Sequence, residues 1–294
     1  MSSIIDDLKM QFRSGDVVTR LIFWNIALFA IPYIVFGLLT LFGTNIHWLN
    51  FVSLSSNPLD LLWKPWSLIA YAFFHGGIFH ILFNLLMLNF TGRLFLTFFT
   101  QKQLLSLYFV GAIFAGLIYI ISYMFFPALQ DKSSTLVGAS GAVMAILFAT
   151  VTYAPMMEVR LLIFGNVKLW HIAIVLLIID LVQLPMTNTG GHLAHLGGAF
   201  FGYLYISQIK RGNDIAGWFG NIMYSIMSLF GRKKKQPFSK IHKNVAPRPT
   251  PTVSRIVTKD KVQQQIDEIL DKISKSGYDS LTTEEKEFLF RAGK

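Results

Sequence analysis

Composition first shows what the chain lacks: it contains no cysteine, and only 14% of its 294 residues are charged. Without cysteine the chain has no disulfide, no thiolate nucleophile and no thiolate metal ligand. The charged fraction is far below the roughly 25% typical of soluble domains, whereas 53% of the residues are hydrophobic. These scarcities exclude cysteine-based chemistry and indicate a membrane protein with several spans.

Long apolar stretches predict six membrane-spanning helices, since one span needs ~20 mostly apolar residues. The predicted spans are Leu21–Phe42, Ser67–Phe90, Leu104–Phe126, Ala139–Tyr153, Leu169–Leu184 and Leu193–Ile209, and the fourth is short. The polar start before the first span lacks the cleavage site of a signal peptide, so we expect a retained anchor. The predicted fold class is an all-α membrane protein.

The charges of the connecting loops predict how the spans are oriented. Cytoplasmic loops are enriched in lysine and arginine. With a cytoplasmic N-terminus, that side holds Arg93, Lys102, Arg160 and Lys168, and the opposite side only Lys64 and Lys132. We therefore expect both termini in the cytoplasm of a multi-pass protein of the cell membrane, the inner membrane if the source is Gram-negative. Much of the net charge of +10 follows residue 209, which favours the lipid bilayer over nucleic acid as a partner.

Two glycine-rich segments place a serine and a histidine inside membrane spans. Ser140 lies at the start of the fourth predicted span, and His195 lies at the start of the sixth. Under the predicted orientation both spans enter from the outer face, so the two side chains lie at similar depth. Ionisable groups are costly in hydrocarbon and usually mark function there. The pair is therefore a candidate nucleophile and base.

Small residues at a spacing of four favour contact between these two spans. The fourth span carries Gly141, Ala145 and Ala149, and the sixth carries Gly198 and Gly202. Such stripes let membrane helices approach closely, which a serine–histidine hydrogen bond of ~2.6–3.2 Å requires. They are also common in membrane bundles without any chemistry.

The second predicted span offers further polar groups. His80 and Asn84 are four residues apart and share one helix face. Both can donate hydrogen bonds toward one point, as an acyl-transfer enzyme needs for its oxyanion. The N–H of Ser140, near the free N-terminus of its helix, is a third candidate donor. The same side chains also suit hydrogen bonds to neighbouring helices.

Taken together, these motifs resemble the rhomboid family of intramembrane serine proteases, in its bacterial type with a C-terminal cytoplasmic helical tail. The resemblance covers roughly Trp66 to Ile209. It rests on the patterns Gly138-x-Ser140-Gly141, His80-x-x-x-Asn84 and His195-x-x-Gly198-x-x-x-Gly202. It implies a six-transmembrane-helix bundle that uses no cofactor and no metal.

The resemblance also implies a role for each matching residue. Ser140 would be the nucleophile and His195 the general base, in a dyad without a catalytic aspartate. His80, Asn84 and the Ser140 N–H would form the oxyanion hole. The motif glycines would serve packing, and they are Gly138, Gly141, Gly198 and Gly202. The implied reaction cleaves the transmembrane segments of other membrane proteins near the outer face, through an acyl-enzyme.

Two positions depart from patterns found in some family members. Met144 stands four residues after the serine, where those members have an aromatic residue. Ser67 follows Trp66, where those members have arginine. Neither change removes a catalytic group. They leave loop stability and substrate preference open.

Other chemistries fit the residues less well. An aspartyl protease needs two carboxylates, and Asp180 is the only acidic residue well inside a predicted span; we expect it to make a polar contact near the outer end of the fifth helix. A metal site built from His75, His80, His192 and His195 is an alternative, although no His-Glu-x-x-His pattern is present. We expect His75 and His192 to be loop or cavity histidines that bond to water or backbone.

Two other function classes compete with proteolysis. A catalytically inactive rhomboid-like protein would bind transmembrane helices, and the intact Ser140 and His195 argue against it. A small-solute transporter should show repeated halves, and the sequence shows no internal repeat. The loop from Pro185 to Gly191 is glycine-ended and suits a mobile cap over the site.

The chain is predicted to divide into five regions. They are a cytoplasmic N-terminal segment (1–18), the six-helix core (19–210), an interfacial amphipathic helix with a basic cluster (211–236), a flexible linker (237–261) and a small cytoplasmic helical hairpin (262–294). Thr282-x-x-Glu285 is a capping box that would open the second helix of the hairpin. Docking onto another protein, or self-association, is our hypothesis for the hairpin.

Overall fold

The structure is a computed structural model that describes residues 3–161, 164–230 and 257–292. The chain divides into two compact units, Met1–Lys233 and Lys234–Lys294. Helices make up most of the described part of each unit. The described strands are short and form two separate antiparallel pairs.

The first unit contains long helices, most of them apolar, that are joined by short helices and turns. In chain order they are α1 (Ile4–Ser14), α2 (Val17–Leu41), α3 (Leu49–Val52), α4 (Asp60–Trp63), α5 (Ser67–Ala70), α6 (Ile78–Leu96), α7 (Gln101–Phe125), α8 (Pro127–Gln130), α9 (Ser140–Tyr153), α10 (Leu169–Gln183), α11 (Thr189–Ile209) and α12 (Gly217–Phe230). The strands are β1 (Leu54–Ser55), β2 (Thr135–Leu136), β3 (Glu158–Leu161) and β4 (Gly165–Lys168).

Three helices in the described part of the chain are long and apolar enough to cross a membrane by length and composition. They are α2, α6 and α7, and the apolar helices α9 and α10 are shorter. The protein is therefore a mostly helical membrane protein. The count of six spans stays a prediction.

The second predicted span is not one helix from Ser67 to Phe90. The chain forms the short helix α5, a 3-10 turn over Tyr71–Phe73 and an extended stretch before α6 begins at Ile78. Two consecutive glycines, Gly76 and Gly77, precede α6, and glycine is a poor helix former. The break places His80 in the first turn of α6.

The sixth predicted span begins one turn earlier than expected. Helix α11 starts at Thr189, so the last three residues of the predicted cap loop are helical. Asn188 adopts the left-handed conformation (φ 50°) just before it, and the Thr189 hydroxyl donates to the Leu184 carbonyl at 2.7 Å. His192 therefore lies inside the helix, one turn before His195, and not in a loop.

Helices α9 and α11 approach each other along their small residues. A Cβ added at Gly198 would overlap the carbonyl oxygen of Gly141, and one at Gly202 would overlap that of Ala145. On the other side, a Cβ at Gly141 would lie 2.7 Å from the Cβ of Ala115 on α7. Helix α9 is thus enclosed by α7 and α11, with its N-terminus held between them.

Short strands connect the loops to this helical core. Strand β1 pairs with β2 through Leu54 and Leu136, which anchors the segment that leads into α9. Strands β3 and β4 form a hairpin between α9 and α10 that we did not predict. Its signal was available in the alternation of polar and apolar residues from Glu158 to Leu161.

Helix α12 packs against α7 as well as presenting an exposed face. Phe219 stacks on Phe109 with ring centroids 4.8 Å apart, and the Lys102 ammonium donates to the Asn221 side-chain oxygen at 2.6 Å. The predicted interfacial helix is therefore partly a core element. The predicted basic cluster, 232–235, lies outside the described residues.

The second unit is a helical hairpin. Helix α13 (Val257–Ser276) is followed by a 3-10 turn and by α14 (Thr283–Ala292). Both hydrogen bonds of the Thr282–Glu285 capping box are present, at 2.8 and 3.3 Å. Lys272 on α13 forms an ion pair with Glu285 at 2.9 Å. Helix α13 begins inside the predicted linker, and the linker residues before it lie outside the described part of the chain.

Candidate active site

Ser140 is the first residue of α9, and the chain before it is held in an unusual conformation. Gly138 has φ +123°, a conformation that side-chain-bearing residues rarely adopt. Its N–H donates to the Tyr71 carbonyl at 2.9 Å. The first N–H groups of a helix have no partner within the helix. Ser140 thus presents both its hydroxyl and its N–H at a helix start.

His195 on α11 reaches Ser140 directly. The distance from His195 Nε2 to Ser140 Oγ is 2.7 Å, within hydrogen-bond range. The two residues are 55 positions apart in the sequence. The close approach of α9 and α11 brings them together.

Asp180 on α10 completes this arrangement on the far side of the imidazole. Its Oδ1 lies 2.8 Å from His195 Nδ1 and 2.7 Å from His192 Nδ1. Asp180 is buried, with 5% of its surface exposed. His192 lines a cavity, as one form of our expectation had it. The expected loop position and the expected partners, water or backbone, were wrong, because α11 begins early and the ring contacts the carboxylate.

The carboxylate determines which nitrogen of each histidine carries the proton. An ionised carboxylate only accepts hydrogen bonds, so the Nδ1 atoms of His192 and His195 must be the donors. In neutral His195 the Nε2 atom then keeps its lone pair. It can accept the hydrogen bond of the Ser140 hydroxyl, which is the arrangement that a general base requires.

His80 is oriented by a backbone contact at the start of α6. The Gly76 N–H donates to His80 Nδ1 at 3.3 Å, so neutral His80 carries its proton on Nε2. That nitrogen lies beside Gly138, where an added Cβ would be 2.7 Å away. Gly138 therefore serves both the turn before Ser140 and the close approach of a hydrogen-bond donor.

Asn84 lines the same cavity but bonds to its own helix. Its side-chain amide donates to the His80 carbonyl at 2.8 Å, and its side-chain oxygen is buried without a hydrogen-bond partner among the described residues. The cavity has a volume of about 370 Å³ and is also lined by Ser140 and His195. Its apolar walls include Val143, Met144, Leu176 and Ile179.

The geometry can also be compared with that of a metal site. Asp180, His192 and His195 offer ligand atoms within 4.8 Å of one another. Zinc ligands at ~2.0–2.1 Å in tetrahedral geometry lie about 3.3 Å apart. The nitrogen–oxygen distances of 2.7 and 2.8 Å are shorter and fit N–H···O hydrogen bonds.

His75 does not belong to this group. Its ring is buried, with neither nitrogen bonded to any described residue, and its centroid lies 5.2 Å from that of His80. The described residues therefore do not assemble the four-histidine metal site that the sequence left as an alternative.

Two parts of the chain match models of known protein families. A model of the Rhomboid domain matches residues 62–211, and a family of unknown function (DUF6576) matches residues 257–292. RHOMBOID-like protein 12, mitochondrial, of Arabidopsis thaliana is 31% identical over 157 residues, which are 50% of this chain and 47% of that protein. Presenilin-associated rhomboid-like protein A, mitochondrial, of Danio rerio is 27% identical over 155 residues, 52% of this chain and 39% of that protein. The chain thus spans less than half the length of these relatives.

Proposed function

Because the chain belongs to the rhomboid family, we propose that it is an intramembrane serine endopeptidase. The observation that carries the proposal is the contact of 2.7 Å between Ser140 Oγ and His195 Nε2. The substrates would be transmembrane segments of other membrane proteins. No cofactor is needed for this reaction.

The proposed reaction begins with attack by Ser140 on a substrate carbonyl. His195 accepts the hydroxyl proton at Nε2 and later donates it to the leaving amine. The Ser140 N–H and the His80 Nε2–H are the donors that would bind the oxyanion. Asn84 would join them by turning its amide away from the His80 carbonyl. Water then hydrolyses the acyl-enzyme.

The cavity sets a condition on the substrate. In a transmembrane helix the backbone carbonyls are already hydrogen-bonded within the segment, so the scissile bond must first become extended. The apolar walls formed by Val143, Met144 and Ile179 suit an apolar side chain beside that bond. Substrate segments with small or helix-breaking residues near the cleavage site are therefore favoured.

The proposal includes the topology expected from the sequence. Six spans with both termini in the cytoplasm place Ser140 near the outer face of the cell membrane. The names of both relatives include the word "mitochondrial", so an organellar membrane is the competing location. Membership of the bacterial type of the family stays a prediction. Reporter fusions at both termini would decide the orientation, and a signal from the periplasm or the intermembrane space for either terminus would contradict it.

A second candidate function is that of an inactive rhomboid-like protein that binds transmembrane helices. Both relatives are named rhomboid-like, which favours considering it. Such a protein needs the cavity but not a reactive serine. The two functions therefore differ in one measurable property, the nucleophilicity of Ser140.

Labelling with a fluorophosphonate probe tests the proposal on the full-length protein in lipid vesicles. We expect covalent labelling of the wild type and none of Ser140→Ala. Ser106→Ala is the matched control, because Ser106 is a buried serine on α7 outside the site; it should label like the wild type. Labelling that persists in Ser140→Ala would contradict the site assignment. An unlabelled wild type that still binds transmembrane peptides would support the second function.

A further inference from the structure

We infer that Asp180 is a positioning residue for His195, so that the site operates as the series Ser140–His195–Asp180 with His192 supporting the carboxylate. This differs from the dyad that the family resemblance implies. It rests on the proposed function, in which His195 is the base. Its basis is the shared carboxylate oxygen, contacted by two imidazole N–H groups at 2.7 and 2.8 Å.

The burial of Asp180 makes these two contacts significant. An ionised carboxylate removed from water is costly unless its oxygens accept hydrogen bonds. Asp180 is 5% exposed, and its ion pairs among the described residues are with His192 and His195. An apolar residue at position 180 would avoid this cost altogether. The chain therefore carries a buried acid at a position where it contacts the proposed base.

The contact has two consequences for the chemistry of His195. It holds the proton on Nδ1, so that Nε2 accepts from Ser140 and does not donate to it. When Ser140 attacks, His195 becomes positively charged, and the neighbouring carboxylate stabilises this charge. Both effects lower the barrier for proton removal and leave the apolar binding surface unchanged.

His192 contributes to this arrangement from the preceding turn of the same helix. Its Nδ1 donates to the oxygen that also accepts from His195, so Asp180 is held from two sides. The alternative is a purely structural role, in which Asp180 only fastens α10 to α11. The two roles differ in what the single variants do. If Asp180 only fastens α10 to α11, both histidine contacts matter equally. If Asp180 positions His195, the contact with His195 matters more than the contact with His192.

Fluorophosphonate inactivation kinetics of the full-length protein in detergent separate the two roles. For Asp180→Asn we expect the maximal inactivation rate kinact to fall by roughly 10²–10⁴-fold. We expect KI to stay unchanged, because the probe's binding cavity stays intact. For His192→Gln we expect a fall of less than about tenfold, since Asp180 still accepts from His195. Asp131→Asn is the matched control, an exposed acid in the loop after α8, and should behave as the wild type.

A measurement that does not depend on activity completes the test. In protein labelled with ¹⁵N-histidine, the imidazole shifts report which nitrogen is protonated. We expect His195 to carry its proton on Nδ1 in the wild type and in His192→Gln, and to populate the Nε2–H form in Asp180→Asn. The His195 signals are assigned by their loss in His195→Ala.

The outcomes are distinguishable. A wild-type kinact in Asp180→Asn, or an Nε2–H form of His195 in the wild type, would overturn the inference. Equal losses of kinact in Asp180→Asn and His192→Gln, together with equal losses of thermal stability, would assign Asp180 to fastening only. If Asp180→Asn does not fold, the positioning role is still tested by the wild-type spectrum and by the Asp180→Glu variant, in which a carboxylate remains. A wild type that is not labelled at all would contradict the proposed function, while the spectra would still decide the role of Asp180.

Discussion

Replacing Gly198 with alanine tests whether the contact between α9 and α11 aligns the site. An added Cβ at position 198 would overlap the carbonyl oxygen of Gly141. A carbon and a carbonyl oxygen approach to about 3.3 Å at closest, so the helices must separate by roughly 1 Å. Overpacking of this kind costs about 1–3 kcal/mol. The better helix propensity of alanine returns about 1 kcal/mol, which leaves a net destabilisation of up to about 2 kcal/mol.

The same separation acts on the proposed catalytic pair. Ser140 and His195 are carried by these two helices, and their contact is 2.7 Å. Adding roughly 1 Å takes it beyond the usual hydrogen-bond range, so Gly198→Ala should lose labelling as well as stability.

Thermal unfolding in detergent and fluorophosphonate labelling measure these two effects. Gly37→Ala on α2 is the matched control, since a Cβ there would meet nothing within 4 Å. It should keep the labelling rate of the wild type and a melting temperature at or slightly above that of the wild type, because alanine favours the helix. If Gly198→Ala also keeps both, the close approach of the helices does not align the site.

Three further predictions follow from other parts of the chain. Gly138→Ala should abolish labelling, because it forces a side chain into φ +123° and against His80; wild-type labelling would contradict this. In the hairpin, hydrogen bonds from Lys272 and the Thr282 N–H lower the pKa of Glu285 from its ordinary value of 4.5. A lowered carboxylate pKa stabilises the folded hairpin above that value, and the stabilisation is lost as the pH falls through the folded pKa. The protection factors of the α14 amides in the full chain, corrected for the intrinsic exchange rate at each pH, should therefore fall at low pH, and Glu285→Gln should remove this change. Deleting residues 243–294 should alter oligomer size or substrate cleavage if the hairpin binds a partner or a second copy; unchanged values of both would reject that hypothesis.

The sequence was most informative about features that depend on the spacing of residues along one helix or on a short motif. The stripes containing Gly141 and Gly198 could be read directly, because a spacing of four defines one helix face. The pairing of Ser140 with His195 followed from matching depth and the family motifs. These features need no knowledge of how the helices are rotated.

The contact of Asp180 could not be derived in this way. Helix α10 is apolar all round, so its sequence pattern does not define which face turns toward the bundle. The contact also needs α11 to begin at Thr189, which depends on the turn at Asn188. The one available signal was an acidic residue inside an apolar span, which is expensive and usually functional.

The break before α6 was missed for a related reason. Phe73 and Phe74 continue the apolar run of the second predicted span, so hydropathy alone does not reveal the end of the short helix. The two glycines after them were the local signal. The break matters for the candidate site, because the irregular stretch before α6 contains Gly76, whose N–H donates to His80 and orients its ring.

The pairing of β1 with β2 has a consequence for biogenesis. Leu54 and Leu136 meet across 82 positions of sequence, and Ser140 also needs a partner 55 positions further on. Chains emerge from the ribosome N-terminus first, so the serine is synthesised well before α10 and α11 supply Asp180 and His195. A nascent chain that has inserted only through α9 therefore carries Ser140 without His195. Under the proposed function, such a chain would be unable to cut neighbouring membrane helices until α11 is in place.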